Sequence, residues 1–289
     1  MYVGRFAPTP SGPLHIGSIT TAIASFCDAK KNSGKWLIRF DDLDQQRTKD
    51  AFASDILRTL ESFSLIWDDT PSYQSKNNSL YSEWLSSPAI LQNTYFCECS
   101  RKTIKDKTPD FTDEPVYLGS CRDKNINPKN AHNIRFKLQN SQVISINDLI
   151  LGEVTENLSA TSGDFVIAKP TGYVTYHLAS VIDDYSHGVT HVMRGYDLLR
   201  SSLRQVLLQQ NLRLTLPAYA HLPLVKNSLG QKLSKQNKAE PVDVRLKSLI
   251  FFEALNFLGQ NPPACLKDDD VESIKNWAIA NWQLDKVKA

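Results

Sequence analysis

The chain has 289 residues, which suggests about two domains and allows a large core without disulfides or metal. Lys and Arg together number 33 against 31 for Asp and Glu, so the net charge is +2. This balance argues against a protein that coats nucleic acid through bulk charge, although it allows a local basic face. A composition of 41% hydrophobic and 22% charged residues excludes a disordered chain.

No apolar run approaches the roughly 18 residues that span a membrane, and the first residues lack the apolar stretch of a signal peptide. We therefore expect a cytoplasmic protein without membrane contact, and we expect it to be a monomer. Three of the five cysteines fall within 25 residues of one another. In a reducing compartment, such a cluster favours metal binding over disulfides.

The first forty residues predict a strand at 2–6, a helix at 15–31 and a strand at 35–40. Gly34 ends the helix, and a turn-forming segment with one glycine and three prolines, which stiffen it, precedes the helix. This βαβ unit predicts an α/β fold with a parallel sheet and a right-handed crossover.

The rest of the chain predicts further elements and one inserted module. Residues 98–132 are polar, weakly periodic and rich in Lys, Asp, Asn and Pro, which indicates a small insertion. The other predictions are helices at 49–64 and 79–91, strands at 133–138 and 143–146, a strand and then a helix within 173–188, a helix at 198–211, an apolar stretch at 217–225 and terminal helices such as 242–258.

Two polar segments suggest phosphate binding. In an α/β protein, nucleotides bind where a loop leaves a strand and opens a helix, and His15 falls in the first turn of such a helix. Far along the chain, Lys232 and Lys235 can close over a polyphosphate. Taken alone, the first pattern fits a stiff loop with a surface histidine equally well, and the second is most often a solvated loop.

Taken together, His15-Ile-Gly-Ser18 and Lys232-Leu-Ser-Lys-Gln236 resemble the two signatures of class I aminoacyl-tRNA synthetases, usually written HIGH and KMSKS. The resemblance covers nearly the whole chain and is narrowed to the glutamyl branch by five segments: 5–17, 39–44, 176–184, 188–198 and 221–224. Within that branch, the segments at 235–238 and 97–99 are similar to shortened members that act on queuosine.

The resemblance implies a Rossmann-like α/β catalytic core with an inserted, zinc-containing subdomain of the acceptor type and a C-terminal helical segment. The division that it implies is 1–96 for the first half of the catalytic domain, 97–132 for the zinc module, 133–225 for the rest of the insertion and the second catalytic half, and 226–289 for the lysine loop and a helical segment resembling a stem-contact region.

The implied activity is that of a ligase. It joins L-glutamate to ATP, supplied with Mg²⁺, without needing tRNA, and gives glutamyl-adenylate and pyrophosphate. It then transfers glutamate to the queuosine base at the wobble position of tRNA(Asp). The glutamate carboxylate is already a nucleophile, so the protein must position the reactants and neutralise phosphate charge.

By resemblance, each site residue receives a role. The catalytic residues are His15, Lys232 and Lys235. The ATP-binding residues are Pro10, Gly12, His15, Gly17, Ser18, Lys232 and Lys235. The glutamate-binding residues are Arg5, Ala7, Thr9, Asp41, Tyr176 and Arg194.

Within that set, the two arginines are expected to bind the carboxylates, Tyr176 to contact the amino acid through its hydroxyl and Asp41 to hold the ammonium group. Relatives typically carry glutamate at the position of Asp41 and a second histidine at that of Ser18, which leaves the role of Ser18 open. In isolation, the run from Arg39 to Asp42 favours a salt-bridge cluster at the end of a strand.

The cysteine spacing suggests metal. Thiolates from Cys97, Cys99 and Cys121 can form three corners of a tetrahedral zinc site, and the nearest downstream histidine, His132, lies eleven residues past Cys121. The resemblance instead implies Tyr117 as the fourth ligand, through its phenolate, with zinc in a structural role. The remaining cysteines, Cys27 and Cys265, are expected to be buried on apolar helical faces.

Two other functions compete with this interpretation. One is a truncated glutamyl-tRNA synthetase that charges the 3′ end of tRNA(Glu), and the other is a non-catalytic tRNA-binding paralogue. Full synthetases carry an anticodon-binding region after the lysine loop, whereas 54 residues follow Lys235 here, which favours the queuosine reaction. Binding alone does not require the set of charged residues named above, which argues against the paralogue.

Overall fold

The computed structural model describes residues 1–106, 115–225 and 240–288. Within these residues, no helix combines the length and apolar character needed to cross a membrane. The strands are β1 (Val3–Phe6), β2 (Lys35–Phe40), β3 (Ser72–Tyr73), β4 (Thr94–Cys97), β5 (Asn133–Phe136), β6 (Val143–Asp148), β7 (Gly152–Asn157), β8 (Phe165–Ala168), β9 (His191–Gly195) and β10 (Ala218–Leu222). The α-helices are α1 (Ile16–Lys31), α2 (Asp50–Ser62), α3 (Asn78–Leu85), α4 (Pro88–Leu91), α5 (Arg101–Lys105), α6 (Leu158–Thr161), α7 (Tyr176–Ser186), α8 (Leu199–Asn211), α9 (Lys247–Phe257) and α10 (Val271–Asn281).

The central sheet is parallel, with strand order β10–β9–β1–β2–β3. The predicted βαβ unit is confirmed as β1, α1 and β2, with β1 and β2 in direct register. The chain runs outward from β1 to β3 on one side and from β9 to β10 on the other, so the strand order reverses between β1 and β9. Open α/β sheets bind ligands at the carboxyl end of such a reversal.

Helix α1 lies at the centre of the larger core. It is buried on most of its surface because it packs between the sheet and the C-terminal helices α9 and α10. Side chains from all three layers share one apolar cluster, which includes Trp36 from β2, Phe251 from α9 and Ile274 from α10. The described part of 226–289 therefore completes the core of the first βαβ unit.

A buried carboxylate in α1 joins the two ends of the described chain. Asp28 accepts hydrogen bonds from the hydroxyl of Tyr2 and, at 2.9 Å, from the indole N–H of Trp282. Asp28 is only 5% exposed, so these donors satisfy a carboxylate that water hardly reaches. The residues after α10 are thus fixed against the first helix.

The inserted region forms a smaller antiparallel sheet, β4–β5–β8, and a hairpin of β6 and β7. These strands and helices α7 and α8 bury a second apolar cluster. Strands β4 and β5 are paired neighbours, with Cys97 opposite Asn133. The polar stretch 98–132 thus connects two adjacent strands.

Several predicted elements differ from the structure. The expected helix at 79–91 is two helices, because α3 ends at Leu85 and Pro88, which lacks an amide N–H, begins α4. The strand expected before α7 is reduced to one bridge between Ala168 and Val174. Cys27 is buried as expected, but the expectation for Cys265 is wrong, since it is exposed in a 3-10 turn.

Candidate active site

A cavity of about 690 Å³ opens at the carboxyl ends of β1 and β9, where the strand order reverses. A second cavity of about 200 Å³ shares Ser18, Thr21, Gly195 and Asp197 with it, so the two form one continuous cleft. The larger part is lined by most of the predicted glutamate-binding set, namely Arg5, Ala7, Thr9, Tyr176 and Arg194. The smaller part is lined by His15, Gly17 and Ser18 from the predicted ATP-binding set.

His15 and Ser18 form a contact at the start of α1. His15 is the N-cap residue, and its Nδ1 accepts from the amide N–H of Ser18 at 3.3 Å. The Ser18 hydroxyl also lies 3.0 Å from His15 Nε2. Helix N-termini attract phosphate, and Ser18 holds the histidine ring at this one. Sequence reasoning left the role of Ser18 open, and the structure gives it this contact.

The other predicted ATP-binding residues lie elsewhere or outside the described residues. Pro10 borders a separate polar cavity of about 350 Å³, which is also lined by Asp42 and Lys49. Gly12 is absent from the lining of the cleft. Both signature lysines, Lys232 and Lys235, fall in 226–239, outside the described residues.

The Arg194 guanidinium is fixed at one end and open at the other. Its Nη1 donates to Ser202 Oγ at 3.1 Å and to Gln205 Oε1 at 2.7 Å, and its Nη2 donates to the Tyr176 hydroxyl at 2.8 Å. Its Nε is buried and has no hydrogen-bond partner among the residues that the structure describes. A buried, unpaired N–H of a charged group is unfavourable, so this atom is suited to a carboxylate ligand.

Arg5 lines the same cleft as Arg194 and belongs to a buried charge network. Its Nε lies 3.2 Å from Asp184 Oδ1, and Arg39 Nη1 contacts the same oxygen. Its Nη2 is buried with no partner. Burial acts to raise the pKa of Asp184, but Arg5 and Arg39 hold it down at about 2. Asp184 thus stays ionised and keeps both guanidiniums in place.

Asp41 lies outside the lining of the cleft and is engaged in an ion pair. Its Oδ1 accepts from Arg39 Nε at 2.8 Å, and the residue is 8% exposed. Burial raises its pKa, although Arg39 acts in the opposite direction. This is the geometry of the salt-bridge cluster at the end of β2, and the ammonium-binding role of Asp41 stays a prediction.

Sequence reasoning gave no role to the two acidic residues of α7. Asp183 accepts from the side chains of Gln74 at 2.9 Å, Asn77 at 2.9 Å and Tyr81 at 2.7 Å. Together with Asp184, it ties α7 to the segment after β3 and to the arginines of β1 and β2. The sequence did contain a signal for this role, namely two adjacent acidic residues within an apolar helix. Each of them must have a partner if it is buried.

Replacing Asp184 with asparagine is expected to lower the free energy of unfolding at pH 7 by about 3–5 kcal/mol, because Arg5 and Arg39 lose their buried countercharge. In the wild type, the low pKa of Asp184 contributes about 2 kcal/mol. This contribution is fully present above the ordinary value of 3.8 and is lost as the pH falls toward about 2. Urea unfolding measured across this range tests both effects.

Asp55→Asn is the matched control, because Asp55 forms only an exposed pair with Arg58 at 3.8 Å. It should change the free energy of unfolding by less than about 1 kcal/mol. Equal losses in the two variants would show that the buried network contributes no special stability.

The other histidines take no part in the cleft. None of His177, His187, His191 and His221 lines it. Burial lowers the pKa of His177 to about 3, so its ring is neutral. His221 is fully buried and lies 2.6 Å from Asp148.

Three thiols and one phenol converge at the end of β4. The Sγ atoms of Cys97, Cys99 and Cys121 all lie within 4.8 Å of one another. The Tyr117 hydroxyl lies 3.3 Å from Cys97 Sγ and 3.7 Å from Cys99 Sγ, and Cys99 lies 3.6 Å from Cys121. The structure therefore brings all four predicted ligand atoms together.

These distances fit a tetrahedral metal site. Zn–S bonds of about 2.3 Å place the corners of a tetrahedron about 3.8 Å apart, and a shorter Zn–O bond gives about 3.5 Å. The measured separations of 3.3–3.7 Å are close to these edges. The backbone N–H of Cys121 donates to the Tyr117 oxygen at 3.0 Å, which favours negative charge on that oxygen.

One buried cation lies beside this cluster. Arg135 Nε donates to Cys97 Sγ at 3.2 Å, and its guanidinium lies 3.9 Å from the centre of the Tyr117 ring. Three thiolates and a phenolate carry more negative charge than one zinc ion neutralises, so a buried guanidinium offsets the excess. The residues present thus fit zinc in both geometry and charge.

The family follows from a comparison of the whole chain with known proteins. Residues 2–248 match the catalytic domain of the class I tRNA synthetases for glutamate and glutamine (E and Q). The chain therefore belongs to this family and is an enzyme of the ligase type. The parallel sheet described above is the catalytic domain of that class.

Relatives match along nearly the full length of both chains. A protein of Neisseria meningitidis serogroup A named glutamyl-Q tRNA(Asp) synthetase is 42% identical over 99% of this chain and 97% of its own length. Proteins with the same name from Aromatoleum aromaticum and Methylococcus capsulatus are 41% and 39% identical, over 98% and 99% of this chain and 89% and 93% of their own lengths.

Among solved structures, a glutamate tRNA ligase of Elizabethkingia meningosepticum superposes with a TM-score of 0.82 at 25% identity. The match covers 99% of this chain and 66% of the ligase. The glutamate-tRNA synthetase of Elizabethkingia anophelis gives the same TM-score and coverage at 26% identity. This chain thus spans about two thirds of those enzymes.

Proposed function

We propose that this enzyme activates L-glutamate with ATP, without tRNA, and transfers it to the queuosine base in the anticodon of tRNA(Asp). The match to proteins named glutamyl-Q tRNA(Asp) synthetase over nearly the full length of both chains carries the proposal. The cleft supports its glutamate half, because two buried guanidiniums each keep an unpaired N–H there. A tRNA substrate places the reaction in the cytoplasm.

In the first half-reaction, a carboxylate oxygen of glutamate attacks the α-phosphorus of ATP. The new oxygen–phosphorus bond replaces the bond to the bridging oxygen, and pyrophosphate leaves with Mg²⁺. No proton moves, so no general base is required. The protein contributes alignment of the two reactants and stabilisation of the charge that develops on the phosphates.

The proposed roles follow the two parts of the cleft. Arg5 and Arg194 hold the glutamate carboxylates, with Tyr176 against Arg194. His15 at the N-terminus of α1 contacts phosphate, and Ser18 orients its ring. Lys232 and Lys235 are proposed to neutralise the leaving pyrophosphate on the strength of the signature that contains them.

We also propose a structural zinc ion held by Cys97, Cys99, Tyr117 and Cys121 in the module 97–132. The separations of the ligand atoms and the Arg135 countercharge support it. In that role, the ion fixes a polar segment that has little apolar core of its own. The three cysteines and Tyr117 do no chemistry on glutamate.

The test is a two-part assay on purified protein. Glutamate-dependent exchange of pyrophosphate into ATP is expected without tRNA, and transfer of labelled glutamate is expected only to tRNA from cells that make queuosine. Lys235→Ala should lower exchange about ten- to a hundredfold, because one charge near the phosphates is lost. Lys169→Ala is the control, since Lys169 donates to Asn133 and lies outside the cleft.

The outcomes separate the alternatives. Labelling of tRNA regardless of its queuosine content, at the 3′ end, would instead identify a glutamyl-tRNA synthetase. Absence of any exchange in the wild type would point to a non-catalytic tRNA-binding protein.

A further inference from the structure

A chain of buried hydrogen bonds runs from the inserted hairpin to the wall of the cleft. It begins at Asp148, the last residue of β6, and passes through His221 of β10 and Ser202 of α8. It ends at the Arg194 guanidinium. All four side chains are 5% exposed or less, so water does not complete or interrupt the chain.

The links are short and continuous. Asp148 Oδ2 lies 2.6 Å from His221 Nδ1, and His221 Nε2 lies 2.7 Å from Ser202 Oγ. Ser202 Oγ in turn accepts from Arg194 Nη1 at 3.1 Å. Each of the four elements that meet here, β6, β10, α8 and β9, therefore contributes one residue.

The donor and acceptor in each of these hydrogen bonds follow from the charge of the Asp148 carboxylate. Burial acts to raise the pKa of Asp148, but hydrogen bonds from His221 and from the backbone N–H groups of Leu151 and Ile150 keep it below its ordinary value. An ionised carboxylate only accepts, so we assign the proton to His221 Nδ1. A neutral ring then accepts at Nε2 from the Ser202 hydroxyl at 2.7 Å, a shorter contact than the 3.2 Å from that hydroxyl to the Leu198 carbonyl, and the Ser202 oxygen is left to accept from Arg194.

An aspartate, a histidine and a serine in this order also occur in hydrolases. Here Ser202 and His221 are fully buried, so no substrate can reach the hydroxyl. A nucleophile must touch the group that it attacks. The arrangement is therefore not a second catalytic centre.

We propose that Asp148, His221 and Ser202 are positioning residues that hold Arg194 with its Nε toward the glutamate carboxylate. The two Nη1 protons are taken by Ser202 and Gln205, so that end of the guanidinium cannot bind ligand. Tyr176 takes one of the two Nη2 protons, so the unpaired Nε N–H and the second Nη2 N–H are the donors that remain for a carboxylate. Linked hydrogen bonds strengthen one another in a buried site, so the histidine contributes through Ser202.

This inference rests on the proposed function, because it assigns glutamate as the ligand of Arg194. It adds that glutamate affinity depends on residues that never touch glutamate. It also makes the end of the β6–β7 hairpin a support for the amino-acid site.

The test is pyrophosphate exchange with Ser202→Ala. The KM for glutamate is expected to rise about tenfold, the equivalent of one lost hydrogen bond to a charged group. The kcat and the KM for ATP should stay within about twofold, because the ATP part of the cleft is untouched. His221→Leu should raise the same KM, and His221→Gln, which carries an amide to Ser202, should restore most of it.

Ser25→Ala is the matched control. Ser25 is also a buried serine that bonds to a helix carbonyl and accepts a side-chain N–H, from Trp36 at 3.0 Å, but it lies outside the cleft. Its KM for glutamate should equal that of the wild type. If Ser202→Ala does not fold, Ser202→Cys replaces it in the same measurement, because cysteine has a similar volume and a sulfur that is a weaker hydrogen-bond acceptor.

An unchanged KM for glutamate in an active Ser202 variant would overturn the positioning role of Asp148, His221 and Ser202 while leaving the proposed function intact. Parallel rises in the KM values for glutamate and ATP would also overturn it, since they indicate general damage. If the wild type shows no glutamate-dependent exchange, the proposed function is overturned, and the positioning role of these residues is overturned with it.

Discussion

Replacing Arg194 with methionine is expected to raise the KM and the Kd for glutamate by about 10²- to 10³-fold, the effect of removing one partner of a buried charge pair. The loss is large because the carboxylate loses a buried countercharge. Arg5 is held by Asp184, and the Arg194 position is surrounded by neutral side chains, those of Tyr176, Ser202 and Gln205. Calorimetric titration of glutamate and exchange kinetics give the two constants.

Arg194→Lys separates charge from geometry. Lysine keeps the positive charge but lacks the planar fork that bonds Ser202, Gln205 and a carboxylate at once, so an intermediate loss of about tenfold is expected. Arg204→Met is the control, because Arg204 lies on the same side of the sheet and bonds Ser162 at 2.8 Å without lining the cleft. A normal glutamate Kd in Arg194→Met would contradict the assignment of the amino-acid site.

Removal of zinc is expected to unfold the module 97–132 while the parallel sheet survives. Structural zinc binding releases about 10 kcal/mol or more, which exceeds the stability of a small polar segment. The apolar cluster here is formed by Cys97, Tyr117 and Cys121, with a few partly buried neighbours. Hydrogen exchange and proteolysis after chelation should therefore change first in this module, and metal analysis should find one zinc ion per chain before it.

Two substitutions sharpen this test. Cys121→Ser should abolish stoichiometric zinc, whereas Cys265→Ser should not, because Cys265 is an exposed thiol outside the cluster. Tyr117→Phe tests the phenolate ligand alone and should weaken zinc binding at least tenfold in a chelator competition. Unchanged zinc affinity in Tyr117→Phe would leave the three thiolates and remove Tyr117 from the ligand set.

Local patterns were sufficient for the part of the fold built from neighbouring segments. The βαβ unit of β1, α1 and β2 follows from apolar spacing and from Gly34, and its carboxyl edge is where the cleft opens. The strands β4, β8 and β9 were not predicted, since each is short and depends on partners distant in sequence. Tertiary pairing, rather than propensity, makes them strands.

The charged residues of the site also fall into two groups, those that the sequence identified and those that only the folded structure reveals. The family signatures identified Arg5, Tyr176 and Arg194, and the structure places all three in one cleft. No signature indicated that Asp184 holds Arg5 or that Ser202 and His221 support Arg194. These partners come from α7, α8 and β10, so only the folded chain brings them together.

The bond from Trp282 to Asp28 has a consequence for synthesis on the ribosome. Helix α1 is made before α9, α10 and Trp282, which cover one side of it. The apolar face of α1 that packs against α9 and α10, and the Asp28 carboxylate that bonds Trp282, therefore lack these partners while more than two hundred further residues are translated. The core around α1 can therefore close only after α9 and α10 have been made, so folding that proceeds from the N-terminus alone does not complete it.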